Sequence, residues 1–150
     1  MEESHKPDKL TGLEYLQQRA AGTLPNPNIF ATMGMTIAHV EKGLIKIFAR
    51  PDQRHLNARG TAQGGFAASV LDAAVGLAVM SMMPTGLNVV TVGLNLHLLK
   101  PVLVGKEPLI AEGRIVHLSR RIGVADGTLT DAAGKRVAIA SGSCMILSAT

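Results

Sequence analysis

Tryptophan is absent from this chain, and one Tyr and three Phe leave it only 3% aromatic. Base-stacking surfaces are built from such rings, so a nucleic-acid partner is not expected. Charge is also scarce, at 17% of residues against about 25% in ordinary domains. The net charge is +4, yet no run of Lys and Arg forms a basic face. A mild positive balance suits a small polyanion, such as a nucleotide with several phosphates. The single cysteine, Cys144, forbids an intrachain disulfide and gives no sign of an oxidising compartment. One Cys and five scattered His give no metal-ligand spacing, so no metal is expected. The polar start "MEESHKPDKL" lacks the apolar core of a signal peptide. A cytoplasmic protein is the expectation.

Apolar residues, by contrast, are abundant. They make up 47% of 150 residues. That length suggests one domain able to bury roughly two thirds of its unfolded surface without staples. The surplus apolar surface points to cover by another subunit. Residues Met1 to Asp8 read as loose. "TGLEYLQQRAAG" carries a capping box, Thr11 with Glu14, and Gly22 as a stop, so a short helix is expected. It belongs to an N-terminal extension over residues 1–28, before a main domain over residues 29–150. A hairpin turning at Glu41-Lys42-Gly43 follows, then a polar loop from Pro51 to Gln63. The remaining strands are "LNVVTVGLNLHLLKP", "PLIAEGRIVHLS", "IGVADGTLTD" and "RVAIASGSCMIL". In the first, Val90, Val92, Leu94, Leu96 and Leu98 are expected on one face, and Thr91, Gly93, Asn95 and His97 on the other. Gly93 allows a bend or bulge.

Between hairpin and strands lies "GGFAASVLDAAVGLAVMSMM", Gly64 to Met83, almost uniformly apolar and expected to be helical as far as Pro84. A membrane span is disfavoured: Asp72 at its middle costs about 2.5–3.5 kcal/mol there. The expected alternative is a buried helix under an antiparallel sheet, with its Ala and Gly residues allowing close approach.

Asp72 is then an expensive residue. Ser69, one turn earlier, is the only neighbour on its helix face able to donate a hydrogen bond to it. Desolvation should raise its pKa unless it faces a polar cavity. Such a carboxylate is a candidate general base or nucleophile. At the helix start, Gln63-Gly64-Gly65 leaves backbone N–H groups unpaired, and the Gly65 N–H is a candidate oxyanion donor. Asn57 and Gln63 bring amides able to orient a water or a carbonyl. Asp72 lies about 10 Å along the helix from Gly65, so the carboxylate facing a given Gly65 is expected to come from a second subunit. The plain alternative is an ion pair between Asp72 and Arg59, Arg120 or Arg121.

The pattern Asn57-x5-Gln63-Gly64-Gly65-x6-Asp72 resembles the active-site segment of hotdog-fold acyl-CoA thioesterases of the phenylacetyl-CoA and 4-hydroxybenzoyl-CoA type. The strands downstream are similar too, and the resemblance covers roughly residues 30 to 148. It implies an α+β hotdog fold, an antiparallel sheet around a long central helix. It also implies obligate homodimers, usually paired into dimers of dimers, with sites at the dimer interface. The implied substrate is an acyl-CoA, with no cofactor. By the same resemblance Asp72 is nucleophile or base, Gly65 polarises the carbonyl, Asn57 orients water or thioester, and Thr91 helps hold the water. Gly64, Ser69 and His97 are expected along the substrate pocket, and Arg120 and Arg121 at the CoA phosphates. Gln63 stands where many relatives carry His. It can donate a hydrogen bond but cannot titrate. Two rival activities follow: a non-catalytic acyl-CoA binding protein, and a hotdog dehydratase or hydratase, which wants the missing His.

Overall fold

The computed structural model describes residues 6–148. Two short helices, α1 (Gly12–Ala21) and α2 (Asn28–Thr32), precede the hairpin β1 (Met35–Glu41) and β2 (Leu44–Ala49). The long helix α3 (Gly64–Met80) leads into β3 (Leu87–Leu98), β4 (Leu109–Leu118), β5 (Ile122–Thr130) and β6 (Arg136–Ser148). The strands form one antiparallel sheet in the order β1-β2-β4-β5-β6-β3. It wraps α3, which touches β2, β3, β4, β5 and β6. This is the expected α+β architecture. Among the described residues no helix is long and apolar enough to cross a membrane.

Local chemistry explains the helix ends. The Thr11 hydroxyl and the Glu14 carboxylate cap α1 reciprocally, and Gly22 closes it in the left-handed conformation at φ 78°. Tyr15 and Leu16 of α1 join the same core as α3. Of the segment expected to be loose, residues 1–5 lie outside the described residues. Lys6 is not loose: it is buried, and its Nζ donates to the Leu10 carbonyl at 2.8 Å. Helix α2 had no sequence signal, since five residues are too few to show a period. Helix α3 ends at Met80, short of Pro84. There the Ser81 hydroxyl donates to the Ala78 carbonyl and accepts from the Gly43 N–H, tying the helix end to the β1–β2 turn.

Close approach of helix and sheet comes from both partners. Ala67, Ala74 and Ala78 of α3 are fully or almost fully buried. Opposite them, a Cβ built on Gly113 of β4 would lie 2.0 Å from the Ala74 carbonyl oxygen. A Cβ on Gly123 would lie 2.4 Å from Val79 Cγ1, and one on Gly142 would lie 2.7 Å from Val75 Cγ1. The sheet glycines thus seat the helix as much as its own alanines do.

The helix is not buried all round. Val70, Leu71, Ala74, Val75, Ala78 and Val79 face the sheet, whereas Ser69, Asp72, Ala73, Gly76 and Leu77 form a half-exposed stripe at helical spacing. That stripe resolves the anomaly of Asp72. Its carboxylate stands on the one face of α3 that a single chain leaves uncovered.

Candidate active site

The alternation expected in β3 fails at one point. Between Thr91 and Gly93 the register with β6 shifts, so Val92 is an inserted bulge residue. Downstream of it Leu94 and Leu96 pack on the core, as expected. Upstream the parity is reversed: Val89 and Thr91 face α3, while Val90 and Val92 point outward, 45% and 53% exposed. Thr91 is therefore not on the side of Asn95 and His97. It lines a cavity of about 430 Å³ together with Asp72, Ser69 and Gly76. The Thr91 hydroxyl lies 3.9 Å from the sulfur of buried Cys144. Burial raises the pKa of that thiol, the hydrogen bond with Thr91 opposes the rise, and the Asp72 charge adds to it.

Asn95 and His97 line a different hollow, on the outer face of the sheet with Asp126, Thr128 and Arg136. His97 as a pocket residue beside Thr91 is thus corrected, and the bulge is the reason. A second correction concerns Ser69. Its hydroxyl donates to the Gly65 carbonyl at 2.9 Å, back along the helix, and not to Asp72. Among the described residues the Asp72 carboxylate takes part in no hydrogen bond and no ion pair. The pairing with Arg59, Arg120 or Arg121 does not occur. Arg120 and Arg121 are exposed on the β4–β5 turn and line neither the Asp72 cavity nor the Asn57 cavity.

The amide groups gather at the other end of α3. Asn57, Gln63 and Gly64 line a cavity of about 280 Å³ together with Leu98, Leu99 and Lys100. The Asn57 side chain organises its own loop: Nδ2 donates to the Thr61 hydroxyl at 3.0 Å, and Oδ1 accepts from the Arg59 N–H at 2.9 Å. A larger cavity, about 650 Å³, adjoins through Lys100, Pro101 and Val102 and carries Lys106 and Lys135. It is roomier than the Asp72 cavity and carries the carboxylates Glu107 and Asp131, but neither Asp72 nor Thr91 lines it.

Gln63 turns out to be the N-cap of α3. Its Oε1 accepts the hydrogen bond of the Gly65 N–H. The backbone donor expected to meet an oxyanion is thus occupied by the neighbouring side chain. Because Gln63 is exposed, a ligand oxygen can take over that donor when the amide swings aside. A cap of this kind contributes about 1 kcal/mol. Gln63→Ala is accordingly expected to lower the melting temperature by roughly 2–4 °C, read by scanning calorimetry; an unchanged melting temperature would show that the cap is idle.

Six of the sequence candidates thus fall into two groups within one chain, while Gly65 lines neither cavity. Asp72, Thr91 and Ser69 share one cavity, and Asn57, Gln63 and Gly64 share another.

Comparison with known proteins gives four further findings. A family model described as the thioesterase superfamily matches residues 59–138. A Halobacterium salinarum protein assigned as an esterase is 35% identical over 97 residues, which are 59% of this chain and 62% of that protein. The match therefore spans less than two thirds of that relative. Among solved structures, a Ralstonia eutropha JMP134 protein related to phenylacetic acid degradation and assigned as a thioesterase superposes with TM-score 0.80 at 28% identity, covering 87% of this chain and 98% of its own. A Streptococcus mutans UA159 protein with bound acetyl-CoA superposes with TM-score 0.70, also at 28% identity, covering 76% and 89%.

Proposed function

The chain belongs to the thioesterase superfamily, and from that membership we propose that it hydrolyses acyl-CoA thioesters with medium-chain or aryl acyl groups. The observation that carries the proposal is Asp72: a carboxylate without a hydrogen-bond or ion-pair partner among the described residues, opening with Thr91 into a largely apolar cavity. A half-exposed carboxylate with no protein partner among the described residues is open to solvent and ligand. A reacting one must keep its lone pairs for water or for the thioester carbonyl.

In this account the acyl chain lies in the Asp72 cavity, against Ile29, Leu77, Met80 and Val89. Asp72 either attacks the carbonyl or takes a proton from a water that does; Thr91 holds that water. On either route a carbon–oxygen bond forms, the carbon–sulfur bond breaks, and the CoA thiolate leaves, taking up a proton from solvent. After direct attack, water then hydrolyses the acyl–Asp72 anhydride, breaking its carbon–oxygen bond to free the acid and restore the carboxylate. The carbonyl oxygen, negative in the transition state, replaces Gln63 Oε1 as partner of the Gly65 N–H. No cofactor takes part. CoA binding is supported by the acetyl-CoA complex of the Streptococcus relative.

Two copies of the chain are needed to join the two groups. Strand β3 bonds only to β6, which leaves its other edge open along twelve residues. Pairing of two such edges about a two-fold axis runs the strands antiparallel, so one copy's Gly64 end approaches the other copy's Asp72 stripe. The outward Val90, Val92, Met145 and Leu147 offer a further apolar surface, suited to pairing dimers. For the CoA phosphates we keep Arg120 and Arg121, two exposed cations outside the acyl cavity.

A panel of acyl-CoAs with a free-thiol readout tests the proposal. Thiol release with at least one of them is expected. Binding of acyl-CoA without release would replace hydrolysis by the non-catalytic role, which the capped Gly65 N–H favours.

A further inference from the structure

Arg19 of α1 stands apart from the groups assigned to hydrolysis. It is only 3% exposed. Its guanidinium lies over two rings, with Cζ 4.7 Å from the Phe30 centroid and 5.3 Å from that of Tyr15. Nε donates to Asn26 Oδ1 at 3.0 Å. Nη2 is sealed from water and has no hydrogen-bond partner among the described residues. Arg19 makes no ion pair among the described residues. Burial without an anion is the costliest setting for a cation, and the aromatic faces offset it only in part. An arginine escapes that cost least easily, because it does not shed its proton.

The place of this side chain gives it a use. Arg19 lines the same cavity as Asp72, and most of the remaining wall is apolar: Pro27, Ile29, Phe30, Leu77 and Val89. Arg19 and Asp72 do not pair with one another across it. An acyl chain held with its thioester at Asp72 therefore meets an unneutralised guanidinium elsewhere in the wall. We propose that Arg19 sets specificity by receiving a carboxylate at the far end of the acyl group, so that the preferred substrates are CoA thioesters of dicarboxylic acids. The proposal rests on the thioesterase assignment of the same cavity.

The choice of a carboxylate follows from what the site lacks. A plain alkyl end leaves both the charge and the Nη2 donor unanswered. A hydroxyl answers the donor alone. A carboxylate answers both, and its two oxygens match the fork of the guanidinium. The competing explanation is structural: through Asn26 and the two rings, Arg19 fixes α1 and α2 on the domain. That role would make every substrate suffer equally when Arg19 is replaced.

Adipoyl-CoA and hexanoyl-CoA separate the two, since they differ only by the terminal carboxylate. In the wild-type protein kcat/KM is expected to favour adipoyl-CoA by about 10²-fold. Arg19→Gln should bring the ratio near one, and Arg19→Lys should keep part of the preference. A wild-type ratio at or below one overturns the proposal without any variant. An Arg19→Gln protein that loses both activities in parallel, at an unchanged ratio, overturns it as well. If wild type hydrolyses neither compound nor any other acyl-CoA, the thioesterase assignment fails instead. Calorimetric binding of the same two thioesters then decides on Arg19: tighter adipoyl-CoA binding that Arg19→Gln abolishes supports its role, and equal binding overturns it.

Discussion

Replacing Asp72 with Asn is expected to lower kcat/KM for an acyl-CoA by about 10³-fold, with the fold intact. Asn matches the shape of the carboxylate but neither accepts a proton nor attacks a carbonyl at neutral pH. The usual objection to such a variant, that it breaks a buried network, has little force here. The carboxylate is half-exposed and takes part in no hydrogen bond or ion pair among the described residues. Steady-state thiol release measures the loss, and circular dichroism checks the fold. Turnover within about tenfold of wild type would remove Asp72 from the chemistry, a loss too small for a positioned base. If the substituted protein is folded and inactive yet still binds acyl-CoA, the loss lies in the chemical step and not in binding.

Stability has its own most sensitive point, far from any charge. Gly113→Ala is expected to cost about 3 kcal/mol, the upper end of ordinary overpacking, which is roughly 6–12 °C of melting temperature. The added Cβ would sit 2.0 Å from the Ala74 carbonyl oxygen, a backbone atom inside α3. A flexible side chain could move aside; a helix carbonyl moves only if the helix does. Gly105→Ala is the control, because nothing lies within 4 Å of its added Cβ, and a change within about 0.5 kcal/mol is expected. Near-equal melting temperatures for the two variants would mean that α3 can slide on the sheet.

Much of this was legible in the sequence, where the signals were local. Thr11, Glu14 and Gly22 bounded α1, and Gly43 marked the hairpin turn at φ 80°. The strand segments of the C-terminal half form the expected sheet. What stayed hidden depended on long-range geometry. Alternation along β3 cannot reveal a bulge that exists only relative to β6, so Val92 reversed the faces of Val90 and Thr91. Gly113, Gly123 and Gly142 carried no visible reason until α3 lay over them. At the candidate site Asp72 stood out as a charge among apolar residues, and it lines a cavity with Thr91. Gln63 as the cap on the Gly65 N–H was missed, although a polar residue directly before a helix is itself a capping signal. Arg19 was missed altogether, because nothing in "LQQRAAG" distinguishes a buried arginine from a solvated one.

The central claim is that each site joins Gly65 of one copy to Asp72 of another. Mixed dimers test it most directly. Asp72→Asn removes the carboxylate, and Gly65→Pro removes the N–H within a first helical turn, where proline is tolerated. Each variant alone is expected to be inactive. Co-refolded in equal amounts, they should recover about a quarter of wild-type turnover, since half the dimers then hold one intact site of two. Heterodimers that form, as native mass spectrometry would show, but stay inactive would place both groups in one chain and contradict the account.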